Sequence, residues 1–202
     1  MNTHKPEPGV QELFDAIRAC IPRAVAVHDV VYRSVAMRQA NQRDFLSGVG
    51  AATYGGRWNP RGIEAAYASL SIVTAVQEAY QNLLSFGFPT SGVRPRVFAG
   101  AKVKLQAVLD LTDKRVRRLL DFTLAELLDE PWREIQDAGQ ESWTQAIGRG
   151  AHAAGFEGLL APSARDRPTG ANLVIFPQSL RTASKIEILG KGDLPPHPSS
   201  PK

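Results

Sequence analysis

Residues 97–105, with the sequence V-F-A-G-A-K-V-K-L, show the clearest secondary-structure pattern in the chain. Every second position is small or apolar, and lysines fall between these positions at 102 and 104. Because successive side chains of a strand point to opposite faces, the alternation predicts a strand with one buried face. Residues 107–111 predict a second strand directly after it.

Further strands are expected on both sides of this segment, where short runs are rich in β-branched and apolar residues. These strands are predicted at residues 27–35, 63–68, 158–161, 171–176 and 185–189. Helical spacing of apolar residues predicts a helix over 10–21, and helical patterns fill 113–154. The order of elements predicts an α+β fold, a single domain with a mixed, mainly antiparallel sheet and flanking helices.

Several element ends also have sequence signals. Thr123 and Glu126 form a capping box pattern, and Gly155 is placed to end the helix that precedes it. Residues 1–8 are expected to be a loose tail, and residues 87–95 and 162–170 are expected to be loops.

A helix predicted to run to about Ser85, with Ser69 or Ser71 as its cap, carries a carboxylate beside its apolar side. At ~100° per residue, one apolar stripe is formed by Ile72, Val76, Ala79 and Leu83. Glu78 lies next to this stripe rather than opposite it. Its side chain is therefore expected to face a cleft at the edge of the core.

The domain organisation expected from these patterns has three parts. Residues 1–25 form an N-terminal tail and helix, residues 26–190 form one core domain, and residues 191–202 form a disordered tail rich in Gly, Pro and Ser. The sequence has no internal repeat and no linker that would divide the core.

Composition restricts the classes of function. The 202 residues carry a formal net charge of +4, with acidic residues spread among the basic ones, which is too mild to imply nucleic-acid binding by itself. Cys20 is the only cysteine, which fits a reducing, cytoplasmic compartment. We expect no membrane span and no secretory signal, because no segment is apolar enough for either.

Familiar cofactor and metal motifs are absent from the sequence. No metal site is expected, since the histidines are scattered at positions 4, 28, 152 and 197. No GxGxxG, GxxxxGK[ST] or GxSxG motif occurs, so the sequence supports neither a nucleotide-binding loop nor a nucleophile elbow.

Residues 54–62, Y-G-G-R-W-N-P-R-G, concentrate the residue types that hold a flat, phosphorylated molecule. Gly56 lets the main chain approach a ligand, and Arg57 offers a fork of donors suited to phosphate oxygens. Trp58 offers an apolar face, and Asn59 follows it. A tight turn with Trp58 in the core is the alternative interpretation.

Other residues with chemical potential are dispersed, namely Tyr32, Arg33, Tyr67, Glu78 and Ser163. Each also has a structural interpretation when taken singly. Arg33 could pair with a surface carboxylate, Tyr67 could be a core aromatic, and Ser163 after Pro162 could be a turn residue.

Taken together, the dispersed segments resemble the RES domain family, which is named for an Arg, a Glu and a Ser. The matching segments are Val31–Arg33, Gly55–Asn59, Ala66–Ser69, Thr74–Glu78, Val108–Thr112, Pro162–Asp166 and Gly170–Val174. The resemblance spans about residues 26–190. It implies that Arg33, Glu78 and Ser163 are the name-giving residues, and that Tyr67 and Asn172 also line the site.

The resemblance implies a toxin of a bacterial toxin–antitoxin pair with a fold similar to that of ADP-ribosyltransferases. Its expected partner is an antitoxin with an Xre-like helix-turn-helix region, and within that complex the toxin could form a homodimer. The implied substrate is NAD⁺, which such proteins consume with water or phosphate, or use to pass ADP-ribose to a protein. No metal is needed for this chemistry.

These residue types suit cleavage of the nicotinamide–ribose bond, which builds positive charge on the ribose. Glu78 could stabilise that charge, and Arg33, with Arg57, could hold the pyrophosphate. Ser163 could orient a phosphate or ribose oxygen. Tyr67 or Trp58 could stack on the nicotinamide ring. The acceptor is left open by the sequence.

Two other functions stay open at this stage. A protein-modifying ADP-ribosyltransferase would use the same site. A nucleic-acid-binding module would use the basic cluster of Lys114, Arg115, Arg117 and Arg118. Three aspartates surround this cluster, so a solvated helix face or a surface facing the antitoxin is the preferred interpretation.

Overall fold

A six-stranded sheet forms the framework of the computed structural model, which describes residues 9–85, 95–167 and 170–197, with the backbone only for 81–85. The strands are β1 (Val25–Ala36), β2 (Ala66–Ser69), β3 (Arg96–Asp110), β4 (Gly158–Pro162), β5 (Ala171–Ile175) and β6 (Lys185–Ile188). The helices are α1 (Val10–Ala19), α2 (Val49–Tyr54), α3 (Ile72–Ser85), α4 (Lys114–Leu119), α5 (Leu124–Asp129), α6 (Trp132–Asp137) and α7 (Trp143–Ala153).

The strands follow the order β1-β2-β5-β4-β3-β6, and β1 also pairs with β3. This additional pairing closes β1, β2, β5, β4 and β3 into a ring. Among the described residues, only β3 and β4 run parallel, and the other paired strands are antiparallel. The predicted α+β fold with a mixed, mainly antiparallel sheet is therefore confirmed.

The prediction of two strands at 97–105 and 107–111 is wrong, because β3 is continuous from Arg96 to Asp110. β1 pairs along nearly its whole length, from Ala36↔Arg96 to Val25↔Val108. The alternation ends near Leu105 since both faces of the later part are covered. Val108 belongs to the core inside the ring, and Leu109 belongs to the core between the sheet and the helices.

The N-terminal helix packs into the main core, although the sequence pattern assigned it to a separate segment. Leu13 and Ile17 share a cluster with Ile147 and Ala151 of α7. At the other end, a 3₁₀ turn at Lys191–Asp193 follows β6. The boundaries at 25/26 and 190/191 stay predictions, and residues 1–8 and 198–202 lie outside the described ranges.

Two residues of the apolar stripe predicted for α3, Ile72 and Val76, do not face the core. Ile72 and Val76 are 45% and 38% exposed, whereas Thr74 and Ala75 are buried. The periodicity of a helix does not determine which face packs. Here the small side of the helix lies against the sheet, which allows a close approach. Glu78, four residues after Thr74 and three after Ala75, lies beside this inward side.

The sequence signals for helix ends were more reliable than the prediction of which face of α3 packs. Ser71 accepts the N–H of Thr74 at the start of α3, while the Thr123–Glu126 capping box and the left-handed Gly155 after α7 are confirmed. The loop predicted at 87–95 lies outside the described residues except for position 95. Among the described helices, none has the length and apolar character needed to cross a membrane.

Candidate active site

The carboxylate of Glu78 is the centre of a hydrogen-bonded group formed by three distant segments. Its Oε1 accepts a hydrogen bond from Ser163 Oγ at 2.7 Å and another from Asn172 Nδ2 at 2.7 Å. Glu78 comes from α3, Ser163 follows β4 and Asn172 lies on β5. The fold thus brings together two of the three name-giving residues and one predicted binding residue.

The loop that carries Ser163 is tied to α3. Ser163 Oγ accepts the backbone N–H groups of Arg165 and Asp166 at 3.1 and 3.0 Å, so the hydroxyl proton is directed to Glu78. Asp166 accepts a hydrogen bond of 2.5 Å from Thr74 Oγ1. Gly170 closes the loop by donating to the carbonyl of Asp166, and a Cβ there would collide with Asp166.

Asn172 is oriented from the side opposite Glu78. Its Oδ1 accepts a hydrogen bond of 2.7 Å from Ser69 Oγ, and Ser69 is its register partner across β2 and β5. Since the oxygen of the amide is occupied by Ser69, the nitrogen points to Glu78. The pair of strands therefore fixes the direction of this hydrogen bond.

Arg33 on β1 is half-buried and has no carboxylate partner among the described residues. Its Nη1 donates to the carbonyl of Tyr67 at 2.5 Å, while its Nε–H is buried and has no acceptor in the described part of the chain. Burial, together with the charge of Arg96, lowers the pKa of Arg33 from 12.5 to about 10. The interpretation of Arg33 as half of a surface ion pair is therefore wrong.

The glycine-rich segment forms a tight bridged turn that Tyr67 braces. Gly56 and Asn59 exchange backbone hydrogen bonds, and Tyr67 Oη accepts the N–H of Trp58 at 2.9 Å while donating to Asn59 Oδ1 at 2.7 Å. A Cβ on Gly56 would lie 2.5 Å from Tyr67 Oη. The turn thus requires glycine at this position.

Trp58 and Asn59 of this turn were predicted to bind a ligand, but the contacts of their side chains stabilise the fold. The Trp58 side chain is 3% exposed and belongs to the main core, and Asn59 is fully buried. Asn59 Nδ2 donates to the carbonyls of Ala51, Pro60 and Ile63. The alternative of a tight turn with Trp58 in the core describes these surroundings.

Arg57 is half-buried and holds the segment before α6. Its Nη1 donates to the carbonyls of Leu127 and Glu130 at 2.9 and 3.2 Å. Burial lowers the pKa of Arg57, with Glu130 opposing the shift. Because these bonds occupy one nitrogen, the side chain can brace the turn and still present its remaining donors to a ligand.

Two cavities meet at Tyr67, Glu78 and Asn172. The larger, of about 620 Å³, is lined by these three residues and by Gly56, Arg57, Arg133 and Arg165, among others. The smaller, of about 150 Å³, is lined by Tyr32, Arg33, Ser34, Ser69 and Arg96 besides the shared three. The two arginines of the predicted site, Arg57 and Arg33, are thus divided between the cavities.

Another cavity, of about 660 Å³, lies along α5 to α7 and contains none of the predicted site residues. Its lining includes Phe122 and Trp143 with several carboxylates. Within the described residues, no group of three or more His, Cys, Asp or Glu side chains could hold a metal ion.

Sequence reasoning assigns no binding or catalytic role to Ser69, Asp166 or Arg96, which complete the site. Ser69 and Asp166 fall inside the matching segments Ala66–Ser69 and Pro162–Asp166, so the resemblance contained a signal for both. Arg96 stands at the start of a strand with no motif around it. Only the pairing of β1 with β3 reveals its position.

The chain resembles known proteins in both sequence and fold. The chain is 29% identical over 161 residues to the NAD(+) phosphorylases MbcT of Mycobacterium bovis and Mycobacterium tuberculosis, covering 76% of this chain and 78% of theirs. The structure resembles a chain of the M. tuberculosis MbcT–MbcA toxin–antitoxin complex with a TM-score of 0.66, 23% identity and coverage of 90% and 91%. The sequence profile of the RES domain matches residues 30–197, and the chain belongs to this family.

Proposed function

We propose that this chain is an enzyme that consumes NAD⁺ by cleaving the bond between nicotinamide and ribose. The observation that carries the proposal is the carboxylate of Glu78, held through Oε1 by Ser163 and Asn172 where two cavities meet. The name of the related MbcT proteins, NAD(+) phosphorylase, supports the choice of substrate.

The geometry leaves one oxygen of this carboxylate for the substrate. Both hydrogen bonds of Glu78 are made by Oε1, and Oε2 has no hydrogen-bond donor among the described residues. A carboxylate oxygen fixed in this way can accept a ribose hydroxyl and stabilise the positive charge that develops as the glycosidic bond breaks. Nicotinamide is a good leaving group, so no strong general acid is required.

The larger cavity is the expected place for the dinucleotide. Its volume of about 620 Å³ lies within the ~300–1,000 Å³ typical of sites for small molecules. Arg57 and Arg165 line it and are suited to bind pyrophosphate oxygens. The ring of Tyr67 lines both cavities, and burial raises the pKa of its hydroxyl, so the phenol stays neutral at physiological pH.

The biological role we propose is that of the toxin in a bacterial toxin–antitoxin pair acting in the cytoplasm. Family membership supports this role, and the structural neighbour was crystallised as such a complex. The proposed partner is an antitoxin with an Xre-like helix-turn-helix region, through which DNA would be contacted. A homodimer of the toxin within that complex is part of the same proposal.

The test is incubation of the purified chain, free of antitoxin, with NAD⁺ in buffers with and without inorganic phosphate, followed by mass spectrometry of the products. Free nicotinamide with ADP-ribose or a phosphorylated ADP-ribose supports the proposal. Intact NAD⁺ in both buffers, from a folded sample, would contradict it. Transfer of ADP-ribose to a protein acceptor would then be the reaction to seek.

A further inference from the structure

The hydroxyl of Ser163 has no hydrogen-bonding capacity left for a substrate. It donates to Oε1 of Glu78 at 2.7 Å and accepts the backbone N–H groups of Arg165 and Asp166 at 3.1 and 3.0 Å. A serine hydroxyl has one proton and two lone pairs, so these three bonds use all of it. Ser163 is also only 2% exposed, and it is not among the described residues that line the two cavities at Glu78. These surroundings suit a residue that acts through Glu78 rather than on the substrate.

The carboxylate of Asp166 connects the loop of Ser163 to one face of α3. Its Oδ2 accepts a hydrogen bond of 2.5 Å from Thr74 Oγ1. With its amide oriented toward its acceptors, Gln77 donates to Oδ1 of Asp166 and to the carbonyl of Arg165, each at 3.2 Å. Thr74 and Gln77 are three residues apart and therefore lie on the same side of the helix. Both oxygens of Asp166 are thus held by α3.

Thr74 is itself fixed at the start of α3. It is buried, its N–H donates to Ser71 Oγ at 3.0 Å, and its own Oγ1 lies 2.8 Å from that oxygen. Because a carboxylate only accepts, the proton of Thr74 is directed to Asp166, and the hydroxyl of Ser71 donates to Thr74. Hydrogen bonds that run in one direction strengthen one another. Thr74 therefore offers Asp166 a fixed donor, four residues before Glu78 on the same helix.

The contacts of Asp166 link this donor to the hydroxyl of Ser163. The carboxylate of Asp166 is bound by Thr74, and the backbone N–H of the same residue donates to Ser163 Oγ. A shift of Asp166 would therefore move a group that orients the Ser163 hydroxyl. Neither Thr74 nor Asp166 is among the described residues that line the two cavities at Glu78. Their effect on turnover would have to pass through the loop.

Resting on the proposed function, we propose that Thr74, Asp166 and Ser163 form a positioning network for the carboxylate of Glu78. Ser163 holds Oε1 of Glu78, which leaves Oε2 for the ribose, while Asp166 and Thr74 hold the loop that directs the Ser163 hydroxyl. None of the three side chains in the network contacts NAD⁺. The network lets α3 and the loop after β4 keep one geometry while the substrate enters.

The first experiment compares steady-state kinetics of the wild type with those of Thr74→Val, which lacks the hydroxyl but keeps the branched shape. We expect kcat and kcat/KM to fall equally, by about tenfold, because Glu78 is less well placed in the transition state while NAD⁺ binds as before. Thr74→Ser should restore most of the activity. The control Thr53→Val, at an exposed position of α2, should leave kcat unchanged. An unchanged kcat in Thr74→Val would overturn the proposal.

A double-mutant cycle separates positioning from a merely structural role. If Thr74 acts through Ser163, adding Thr74→Val to Ser163→Ala should lower kcat by less than about twofold further. A further loss as large as that in the wild-type background would show that Thr74 acts by another route, and the network would be wrong. In Ser163→Ala alone, a rise in KM for NAD⁺ as large as the fall in kcat would show that Ser163 contacts the substrate, which would also overturn the proposal.

Amide hydrogen exchange measured by NMR without NAD⁺ tests the tether independently of turnover. The N–H groups of Arg165 and Asp166 should exchange about fivefold faster or more in Thr74→Val, and at the wild-type rate in Thr53→Val. Equal rates in all three proteins would show that Thr74 does not hold the loop. Absence of NAD⁺ cleavage by the wild type would instead contradict the proposed function, and the exchange rates would still decide whether the tether exists.

A second variant keeps the test decisive if Thr74→Val does not fold. Asp166→Asn has nearly the same shape, but its amide oxygen can accept from only one of Thr74 and Gln77, and its NH₂ group faces the other donor. We expect the same pattern in this variant, with kcat lowered, KM for NAD⁺ nearly unchanged and little further loss when Ser163→Ala is added. Wild-type kcat in a folded Asp166→Asn protein would overturn the network.

Discussion

The hydroxyl of Ser163 lies 2.7 Å from Oε1 of Glu78, although the two residues are 85 positions apart in the chain. The contact depends on two further tethers. The loop after β4 orients the hydroxyl, and Asp166 binds that loop to Thr74 at the start of α3. A carboxylate that is exposed on its helix therefore has a fixed orientation, which a catalytic role requires.

Glu78→Gln is expected to lower kcat/KM for NAD⁺ by roughly 10²–10³-fold without loss of the fold. The amide oxygen of Gln can still accept from Ser163 and Asn172, but the negative charge that would stabilise the ribose cation is gone. The matched control is Glu187→Gln on β6, where the side chain is exposed. A folded Glu78→Gln protein with the activity of the wild type would remove Glu78 from the mechanism.

Tyr67→Phe is expected to lower the free energy of unfolding by about 1–3 kcal/mol. The variant keeps the ring but leaves the N–H of Trp58 and Oδ1 of Asn59 without the hydroxyl that joins them. Urea denaturation would measure the change. Tyr54→Phe serves as control, because Tyr54 is 67% exposed and its change should stay within about 0.5 kcal/mol. Equal effects of the two substitutions would show that the Tyr67 hydroxyl does not stabilise the turn.

Two Gly→Ala substitutions in helices are expected to change the stability of the fold in opposite directions. In α7, a Cβ at Gly148 would collide with the backbone carbonyl of Trp58, so Gly148→Ala should push the helix away from the bridged turn and reduce both Tm and turnover. In α2, Gly50 has no neighbour within 4 Å of the added carbon, and alanine there should stabilise the chain by about 0.5–1 kcal/mol. Circular dichroism during heating would compare them, and a stable, active Gly148→Ala would refute the close packing.

Acid should weaken the fold through Glu157, which is fully buried. Burial by itself raises the pKa of this carboxyl, but the backbone N–H groups of Arg181, Gln106 and Ala107 outweigh it and hold the pKa below its ordinary value of 4.5. The stability gained from this lowered pKa is present above the unfolded value and is lost as pH falls through the folded one.

Below about pH 4.5, the free energy of unfolding should therefore fall more steeply for the wild type than for Glu157→Gln, which has no proton to take up. At neutral pH the variant should already be less stable, since its amide cannot accept as many N–H groups. Urea denaturation across a pH series would measure both effects. Parallel pH profiles would show that other carboxyls cause the acid sensitivity.

The predictions from sequence succeeded where short-range rules apply. The capping box at Thr123 and the helix end at Gly155 follow from local hydrogen bonding and backbone freedom, and they are where the pattern placed them. The break expected near residue 106 was wrong because alternation stops when both faces of a strand are covered. The local pattern does not show this.

The sequence by itself determined the alternation that builds the sheet, the order of the matching segments and hence the family. Only the tertiary structure decided which face of α3 packs and which charges meet. Ile72 is exposed because the small residues Thr74 and Ala75 lie against the sheet instead. Arg96 adjoins Arg33 because β1 and β3 pair along their length, and such long-range pairing depends on the whole packed chain, with no trace in local spacing.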